Sequence, residues 1–569
     1  MHVKRTVRRR GDKEYVYLSL VESVRVNGKK THQTLLRLGE VSELRDSGQL
    51  DRLIGALRTY AEGSWLEVGT DITGAGAPAF GAVAAIASYF DRLGLREHFS
   101  SVGEGRGSVH LADTVFVMVA NRLCDPSSKR RTVTEWLESV ALPDGVHTPL
   151  LDQCYRALDA VCDAKEATEE VLYSHLCDLT NLDLHLALYD LTSTYFETHH
   201  GSSEAFRSRD YGYSRDKRPD RPQVVIGLLV TGNGIPIAHY VFPGDTRDST
   251  TLAGVMADYQ RRFGIGRIAL VADRGLISEQ NLSGVATAGF DHVLATRLHR
   301  DHDVEAVLTM ADAAEHSAWV AVPGSSSFAI DLTHDDTRYV VVTSEERKFR
   351  DDRRRQELLV ATEDKLVALE QRVRAKRLVD PAKIGAAADR ILRDSGVGRC
   401  FATTIRQGSF SWDFDAHALD YEERLLAGRY VLTTSLDKKT ASTADVVRHY
   451  KMLANVERRF RVMKDFLGLR PVHHRTEARV RAHIALCVIA AVIEAVIADD
   501  LSRSDVRDPD IDHQVMTPRR ALAELANIRL HRLDAGRRIE LVDRPTPLQR
   551  RILDALSVDT STWNRTAIA

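Results

Sequence analysis

Paired cysteines are missing from this 569-residue sequence. Its six cysteines are dispersed and form no Cys-x-x-Cys pair, which argues against a zinc ribbon and a disulfide framework. No run of about 18 uncharged apolar residues occurs, and the start, Met1-His2-Val3-Lys4-Arg5, lacks the apolar core of a signal peptide. We therefore expect a cytoplasmic protein that does not bind membranes.

Two enzyme classes lose support because their residues are missing. The sequence has no GxxxxGK[ST] loop, so nucleotide hydrolysis is not indicated. Aromatic residues make up only 7% of the chain, whereas a glycosidase built on two carboxylates should gather sugar-binding aromatics.

An excess of charge of one sign is also missing, because the net charge is only −2. Attraction to a polyanion would therefore have to come from local patches. Basic patches occur within residues 4–10, 347–355 and 458–464. A solvated surface is at least as good an interpretation of any single patch, but their recurrence favours a polyanionic partner.

The length of the chain predicts two to four domains, and the residue pattern predicts their kind. The fold class we expect is α/β, with a mixed sheet covered by helices. The helical segment could be a helix-turn-helix DNA-binding domain or a plain scaffold. The predicted segments are a basic β-hairpin (1–45), a helical domain (46–180), the first part of the α/β core (181–300), an inserted domain (301–440), the second part of the core (441–505) and a helical tail (506–569).

Local patterns predict particular elements within these segments. Asn27-Gly28 indicates a hairpin turn. Residues 184–192 are typical of a strand that ends in a polar turn, and Pro236 places a later strand at a sheet edge. Residues 443–466 predict one long helix.

Two aspartates occupy similar positions at the carboxyl ends of predicted apolar strands. Asp190 follows residues 184–189, and Asp273 follows residues 267–272. Ligands bind at strand ends in open α/β sheets. If the strands are neighbours, the two carboxylates could share Mg²⁺, which prefers oxygen ligands.

Glu457 is the candidate for a third acid, which would complete a two-metal site for phosphoryl transfer. Tyr450 lies seven residues before it and Lys464 seven residues after it, so a continuous helix would present all three on one face, with Arg461 a turn beyond. A lone strand-end aspartate is more often a turn former than a ligand. The recurrence of this setting favours a metal site.

Four stretches together resemble bacterial insertion-sequence transposases of the DDE type. They are Tyr189-Asp190-Leu191-Thr192, Gly212-Tyr213-Ser214-Arg215-Asp216, Val271-Ala272-Asp273-Arg274-Gly275, and Tyr450 to Lys464, which has the spacing of that group's Tyr-Arg-Glu-Lys signature. The resemblance covers most of residues 1–500. The signature's arginine would fall where this chain has Leu453, so the role of that arginine is unassigned, with Arg458 and Arg461 as possible substitutes.

The resemblance implies an RNase H-like catalytic core interrupted by an insertion, in a DNA transposase that uses Mg²⁺, for which Mn²⁺ can substitute. Asp190, Asp273 and Glu457 would be the catalytic metal ligands. The freed 3′-hydroxyl of a cut transposon end would attack a second phosphodiester. The DNA partners would be terminal inverted repeats and target DNA, and a homodimer on DNA at the nucleoid is expected because two ends must meet.

The remaining candidates are DNA contacts. Tyr450 and Lys464 would position the terminal phosphate, and the basic residues Arg215, Arg218, Arg458 and Arg461 would contact DNA. A plain basic loop is an equally good interpretation for residues 211–223.

Several alternatives stay open. Trp319 and Trp412 could stack on an unstacked base, although core packing is the better interpretation. Asp216 and Asp220 could replace one of the three acids as ligands. A nuclease that hydrolyses without joining, or a catalytically impaired protein that only binds DNA ends, would share most of these residues.

Overall fold

Three antiparallel strands open the computed structural model of the protein. They are β1 (His2–Arg10), β2 (Lys13–Val26) and β3 (Lys29–Glu40), followed by helices α1 (Val41–Asp46) and α2 (Gln49–Arg58) and a two-residue strand, β4 (Thr73–Gly74). Val26 pairs with Lys29, which confirms the predicted hairpin, while Asn27 and Gly28 lie outside the described residues. Strand β1 was not predicted, because every one of its side chains is exposed and no apolar alternation marks it.

The described residues fall into two units. The first unit comprises the described parts of residues 1–75 and 532–539, and the second those of 76–531 and 540–566. The structure describes residues 2–11, 13–26, 29–58, 73–74, 76–104, 110–179, 186–197, 206–247, 251–263, 269–272, 289–296, 302–406, 408–511, 514–534, 538–561 and 563.

A helical region begins the second unit. Its helices are α3 (Gly81–Arg92), α4 (Leu95–Gly103), α5 (Leu111–Cys124), a run made of α6 (Lys129–Arg131), a π-helical turn (Thr132–Trp136) and α7 (Leu137–Ser139), then α8 (Leu151–Asp163) and α9 (Lys165–Leu179). Helix α5 is buried over nearly its whole length, which makes it the centre of this region.

A nine-stranded mixed sheet forms the middle of the second unit. Its first members in the chain are β5 (Leu186–Tyr195), β6 (Gln223–Thr231), β7 (Pro236–Pro243), helix α10 (Leu252–Phe263), β8 (Ala269–Ala272) and β9 (Asp291–Ala295). Strands β5, β8 and β9 run parallel, and β6 is antiparallel to both β5 and β7. Gly227 in β6 is required because a Cβ there would lie 2.6 Å from the Tyr189 hydroxyl.

The segment predicted as an insertion contributes further strands to the same sheet. Its elements are α11 (His302–Ala313), β10 (Val320–Ala321), β11 (Ser327–His334), β12 (Thr337–Ser344), α12 (Glu345–Arg374), α13 (Pro381–Ser395), β13 (Phe401–Arg406), β14 (Ser409–Phe414), α14 (Ala416–Tyr421), a π-helical turn (Glu422–Leu426) and β15 (Arg429–Thr434). The strand order is β10-β11-β12-β15-β9-β8-β5-β6-β7. Strand β7, which begins with Pro236, is therefore an edge strand, as predicted.

The carboxyl-terminal part contains both helices and strands. It comprises α15 (Thr443–Lys451), α16 (Leu453–Arg461), a π-helical turn (Val462–Phe466), α17 (Glu477–Arg503), α18 (Pro518–Leu525), β16 (Leu530–Asp534), β17 (Arg538–Val542) and α19 (Pro547–Ala555). The expectation of a purely helical tail is wrong, because two short strands interrupt it. Among the described helices, none has the length and hydropathy needed to cross a membrane.

The side chains of β5 alternate between two cores, as the geometry of a strand requires. Leu186 and Leu188 belong to the large core that includes α16 and α17, whereas Ala187 and Tyr189 belong to the core beneath α10. Any even-numbered residue of β5 therefore lies on the face of the sheet that α16 covers.

A buried carboxylate joins the helical region to the sheet. Glu169 of α9 accepts hydrogen bonds from Arg262 of α10 (Nη1 to Oε2, 2.8 Å) and from the backbone N–H of His239 in β7 (2.9 Å). Lys165 lies 3.0 Å from the same carboxylate. Burial by itself raises the pKa of Glu169, but His239, Lys165 and Arg262 outweigh it and lower the pKa to about 2.

Acid should weaken this junction. Because the pKa of Glu169 falls from 4.5 to about 2 on folding, its stabilisation is complete above pH 4.5 and is lost as the pH drops toward 2. We expect Glu169→Gln to lower the free energy of unfolding near pH 7 by about 3 kcal/mol. The difference in Tm between the wild type and the variant should shrink as the pH falls below 4.5.

The control is Glu166→Gln, which neutralises an exposed glutamate on the same helix and should change Tm little. A wild-type to Glu169→Gln difference that stays constant with pH would contradict the assignment.

Candidate active site

Asp190 lies within strand β5 rather than at its end, so the prediction of a strand-end position is wrong. The strand continues because Thr192, Ser193 and Thr194 remain buried and pair with β6. Asp190 is half-buried, and its Oδ1 accepts a hydrogen bond of 2.7 Å from the backbone N–H of Leu191. As an even-numbered residue of β5, Asp190 belongs to the sheet face that α16 covers.

Asp273 lies outside the described residues, so its prediction stays a prediction. It follows Ala272, the last described residue of β8. The parallel register pairs Leu188 of β5 with Val271 of β8.

The predicted long helix over residues 443–466 is interrupted. The chain forms α15, breaks at Met452, forms α16 and ends in the π-helical turn Val462–Phe466. Tyr450, Glu457 and Lys464 therefore lie on three successive elements. The seven-residue arithmetic of a regular α-helix does not hold across the break and the π-turn.

Helix α16 presents its acid at the surface while its other face packs on the sheet. Val456 and Phe460 are buried in the large core with Leu188 of β5. Asn455 donates a 2.7 Å hydrogen bond to the carbonyl of Gly232, at the turn between β6 and β7. Glu457 is exposed, and within the described part of the chain its carboxylate has no ion-pair partner. It is therefore free to accept a ligand.

Leu453, which occupies the position of the signature arginine, belongs to the apolar core. Its side chain is only 7% exposed. An arginine at this place would have to bury its charge among aliphatic side chains. Arg458 and Arg461, the possible substitutes, are both exposed on α16.

A buried ion pair fixes helix α16 from behind. Arg459 donates to the Glu494 carboxylate of α17, and both side chains are less than a tenth exposed. Because neither charge reaches water, the pair sets the rotation of α16 about its axis. The exposed positions of α16, including Glu457, follow from that rotation.

Lys464 is held by an aspartate from a distant loop. Its Nζ lies 2.7 Å from Oδ1 of Asp216, and Arg470 donates to the same oxygen. The Asp216 side chain is 2% exposed. Burial lowers the pKa of Lys464, and Asp216 partly offsets that effect. The backbone N–H of Arg215 donates to the Ser193 hydroxyl at 3.1 Å, so the loop connects β5 to Lys464.

The same loop engages the other candidate ligand, Asp220. Arg218 donates to Asp220 through Nε (2.8 Å) and Nη2 (2.9 Å) and lies 5.0 Å from the centre of the Tyr195 ring. The hydrogen bonds from Arg218 lower the pKa of Asp220 to about 2. Asp216 and Asp220 are thus both partners of basic side chains.

The three aromatic candidates contact protein side chains. Tyr450 is half-buried with its ring 5.7 Å from that of Tyr430. Trp319 packs on a small core beside β11 and β12, and Trp412 packs edge-to-face on Phe401 at 5.9 Å. These contacts agree with the core-packing interpretation of both tryptophans.

Sequence reasoning missed two features of the loop over residues 206–222. Tyr213 is 84% exposed beside Arg215. The closeness of the tyrosine to basic residues in the sequence was the signal that could have indicated this surface. The role of Asp216 as the partner of Lys464 has no signal in the sequence, because 248 positions separate the two residues.

One cluster with metal-ligand geometry occurs among the described residues. Asp303, His334 and Asp335 bring three ligand atoms within 4.8 Å of one another near the β11–β12 turn. None of the three predicted acids belongs to it. Exposed groups of this kind are common without a metal, so the cluster does not by itself define a site.

Models of known families match the chain in two places. One, a transposase DDE domain, matches residues 188–493, which is more than half of the chain, and includes most of β5 together with β8 and α16. The chain belongs to the DDE transposase family. The N-terminal domain of the IS1634 family of transposases matches residues 3–64, which identifies the protein as an insertion-sequence transposase.

A comparison of the transposase with solved structures finds a chain of the piggyBac transposase synaptic complex with hairpin DNA, determined by cryo-EM. That chain is 8% identical, the match covers 78% of this chain and 79% of that one, and the TM-score is 0.34. A comparison with curated proteins finds no significant match.

Breaking the pair behind α16 should destabilise the transposase. Glu494→Gln leaves the Arg459 charge buried without a partner, so we expect the free energy of unfolding to fall by about 3 kcal/mol, as measured by urea unfolding. Replacing both partners, Arg459→Met with Glu494→Leu, should restore most of this loss.

Asp499→Asn is the matched control, because Asp499, which is half-buried, pairs with the exposed Arg503 near the end of the same helix. It should cost about 0.5 kcal/mol or less. Equal losses for Glu494→Gln and Asp499→Asn would show that the buried pair does not fix α16.

Proposed function

We propose that this transposase cuts DNA at the ends of its insertion sequence and joins the cut ends to target DNA, in a reaction that depends on divalent metal ions. The observation that carries the proposal is the shared sheet face of Asp190 and helix α16. That face brings a half-buried aspartate and the helix of Glu457 to one side of the sheet.

The sheet supports an RNase H-like core. Strands β7-β6-β5-β8-β9 are adjacent in that order, and β6 alone is antiparallel to the other four. An RNase H-like core has this arrangement, in which the first and fourth strands are neighbours. The proposal keeps the predicted insertion, residues 301–440, although its strands β10, β11, β12 and β15 extend the sheet beyond β9. Only the part around α12 and α13, with β13 and β14, surrounds a small core of its own.

Asp273 completes the acidic set in this proposal. Continued by two positions, the register of Leu188 with Val271 would align Asp190 with Asp273. Ala269 and Val271 belong to the large core. If the alternation of β8 continued beyond Ala272, Asp273 would share a face with Asp190, and the proposal assumes that it does. The proposed metal ligands are Asp190, Asp273 and Glu457.

The donor chemistry fits Mg²⁺ or Mn²⁺. Carboxylate oxygens are the ligands that these cations prefer, and exposed Glu457 has no competing ion pair among the described residues. When bound, the cations would stabilise the attacking and leaving oxygens of an in-line displacement.

The chain's own residues would position the DNA. Exposed Arg458 and Arg461 flank Glu457 and can neutralise backbone phosphates. Arg215 lies on the loop beside β5, and the exposed Tyr213 ring can stack on a base. Lys464 pairs with Asp216 when DNA is not bound. To contact a phosphate, Lys464 would have to break that ion pair.

The bonds made and broken follow from this arrangement. Water attacks a phosphodiester at the transposon end, an O–P bond forms, and the bond from phosphorus to O3′ breaks. The 3′ oxygen leaves as a hydroxyl, and the other strand end keeps a 5′-phosphate. The freed 3′-hydroxyl then attacks a second phosphodiester, forming one O–P bond and breaking another. Because two ends must be joined, two copies of the chain would act together on the inverted repeats and target DNA.

Removing a proposed ligand should abolish cleavage and spare DNA binding. We expect Asp190→Asn or Glu457→Gln to reduce Mg²⁺-dependent cleavage of the terminal repeats by about a thousand-fold or more, because metal stabilisation of the transition state contributes several kcal/mol. Cleavage and binding would be measured on the same labelled duplex.

Glu363→Gln, which changes an exposed glutamate on α12, is the matched control and should cleave normally. Cleavage that survives Asp190→Asn would remove Asp190 from the site.

A strand-transfer assay separates this proposal from a nuclease with the same core. When the transposase is given pre-cut repeats with free 3′-hydroxyls, we expect covalent joining to a plasmid target in Mg²⁺. Repeats that end in a 3′-deoxy nucleotide should give no joined product. Hydrolysis of intact repeats without joining of pre-cut ones would instead identify a nuclease.

A further inference from the structure

We propose that a second, cationic pocket in the transposase binds a phosphate group. The pocket has a volume of about 300 Å³ and lies between the end of α5, α6 and the segment that precedes α17. The residues that define this cationic pocket are Arg122, Lys129, Tyr155, Arg470, His474 and His483.

Lys129 is the first residue that indicates an anion-binding role for the pocket. The residue is 3% exposed, and its Nζ has no hydrogen-bond partner. A buried ammonium group is costly unless it is paired. Within the described part of the chain, no carboxylate lies within ion-pair distance of Lys129.

Arg122 adds a second buried cation beside the first. It is 5% exposed and donates to the carbonyls of Leu467, Gly468 and Ser127, while its Nε has no partner. These carbonyls orient the guanidinium but carry no formal charge to balance it. No described carboxylate pairs with Arg122 either. A buried arginine and a buried lysine, neither paired with a described carboxylate, therefore share one cavity.

Burial and the neighbouring positive charges together lower the pKa values of the basic groups around the pocket. Burial, followed by the charge of Arg122, lowers the pKa of Lys129 to about 7. Burial, followed by the charges of Lys129 and Arg122, lowers the pKa of His474 to about 4. His483, whose Nε2 hydrogen-bonds the Leu469 carbonyl at 3.1 Å, shifts in the same direction. An anion in the pocket would offset these effects.

The position of the pocket points to a phosphate. Arg470 lines the pocket and also donates to Asp216, the partner of Lys464. The cationic pocket is thus linked by two ion pairs to the end of the helix that carries Glu457. A DNA backbone phosphate adjacent to the reacting one is the anion available there. The assignment of this anion to a DNA phosphate rests on the proposed function. The prediction that the pocket binds inorganic phosphate does not.

The first experiment measures inorganic phosphate binding to the full chain by titration calorimetry, with chloride of equal ionic strength as the reference. We expect Lys129→Met to weaken phosphate binding about ten- to a hundred-fold, as the loss of a charge-assisted hydrogen bond implies. The variant should melt at the wild-type temperature or above it in chloride, because it removes a buried amino group that has no hydrogen-bond partner.

Arg130→Met is the matched control, because Arg130 is the exposed neighbour on the same helix and should leave the dissociation constant unchanged. If the wild type does not bind phosphate, or if Lys129→Met binds it equally well, Lys129 is a buried lysine with no role in anion binding. Either result would overturn the proposal.

The second experiment distinguishes DNA phosphate from free phosphate. Binding of a terminal-repeat duplex is measured against salt concentration, and we expect Lys129→Met to reduce the slope of log K against log salt by about 0.9, as for one lost phosphate contact. An unchanged slope combined with lost phosphate binding would overturn the DNA assignment. Asp190→Asn should keep the wild-type phosphate affinity, so failure of the cleavage proposal is distinguishable from failure of this one.

Discussion

The alternation of side chains along β5 is the constraint on which the candidate site depends. Each step of one residue moves a side chain from the core under α16 to the core under α10. A shift of one position would bury Asp190 beside α10, away from Glu457. The register with β6, which Gly227 permits by leaving room for Tyr189, prevents that shift. The alternation of apolar side chains along β5 thus decides on which face of the sheet Asp190 lies.

Buried ion pairs also fix the positions of several helices and strands. The Glu169 cluster joins α9, α10 and β7, the Arg459–Glu494 pair joins α16 to α17, and Asp216 joins the loop near β5 to Lys464. Such pairs contribute less to stability than their contact distances imply, because both charges lose their hydration. They do fix relative geometry, since a misplaced partner leaves an uncompensated charge. The Arg459–Glu494 and Asp216–Lys464 pairs fix the elements that carry or flank Glu457, whereas the Glu169 cluster fixes elements on the opposite side of the sheet and at its edge.

Much of this arrangement could be predicted from the sequence. The strand character of residues 186–192, 223–230 and 236–242 and the edge position of Pro236 follow from local patterns. The choice of Asp190 and Glu457, which rests on the motif resemblance, stays a prediction. The interruption at Met452 could not be predicted, because no glycine or proline marks it and the backbone of Met452 itself stays in the helical region. Strand β1 could not be predicted either, because its residues show no apolar alternation. The Asp216–Lys464 pair and the cationic pocket depend on contacts between distant parts of the chain, which local patterns do not encode.

The burial of Leu453 has a consequence for transferring specificity between relatives by mutagenesis. Because the side chain lies in the same core as Val456 and Phe460, an arginine introduced there would meet hydrocarbon rather than DNA. An arginine placed at this position alone would therefore have to bury its charge in that core. Position 453 would have to be exchanged together with the core residues that pack around it. Family members therefore differ here in a group of packed side chains and not in a single motif residue.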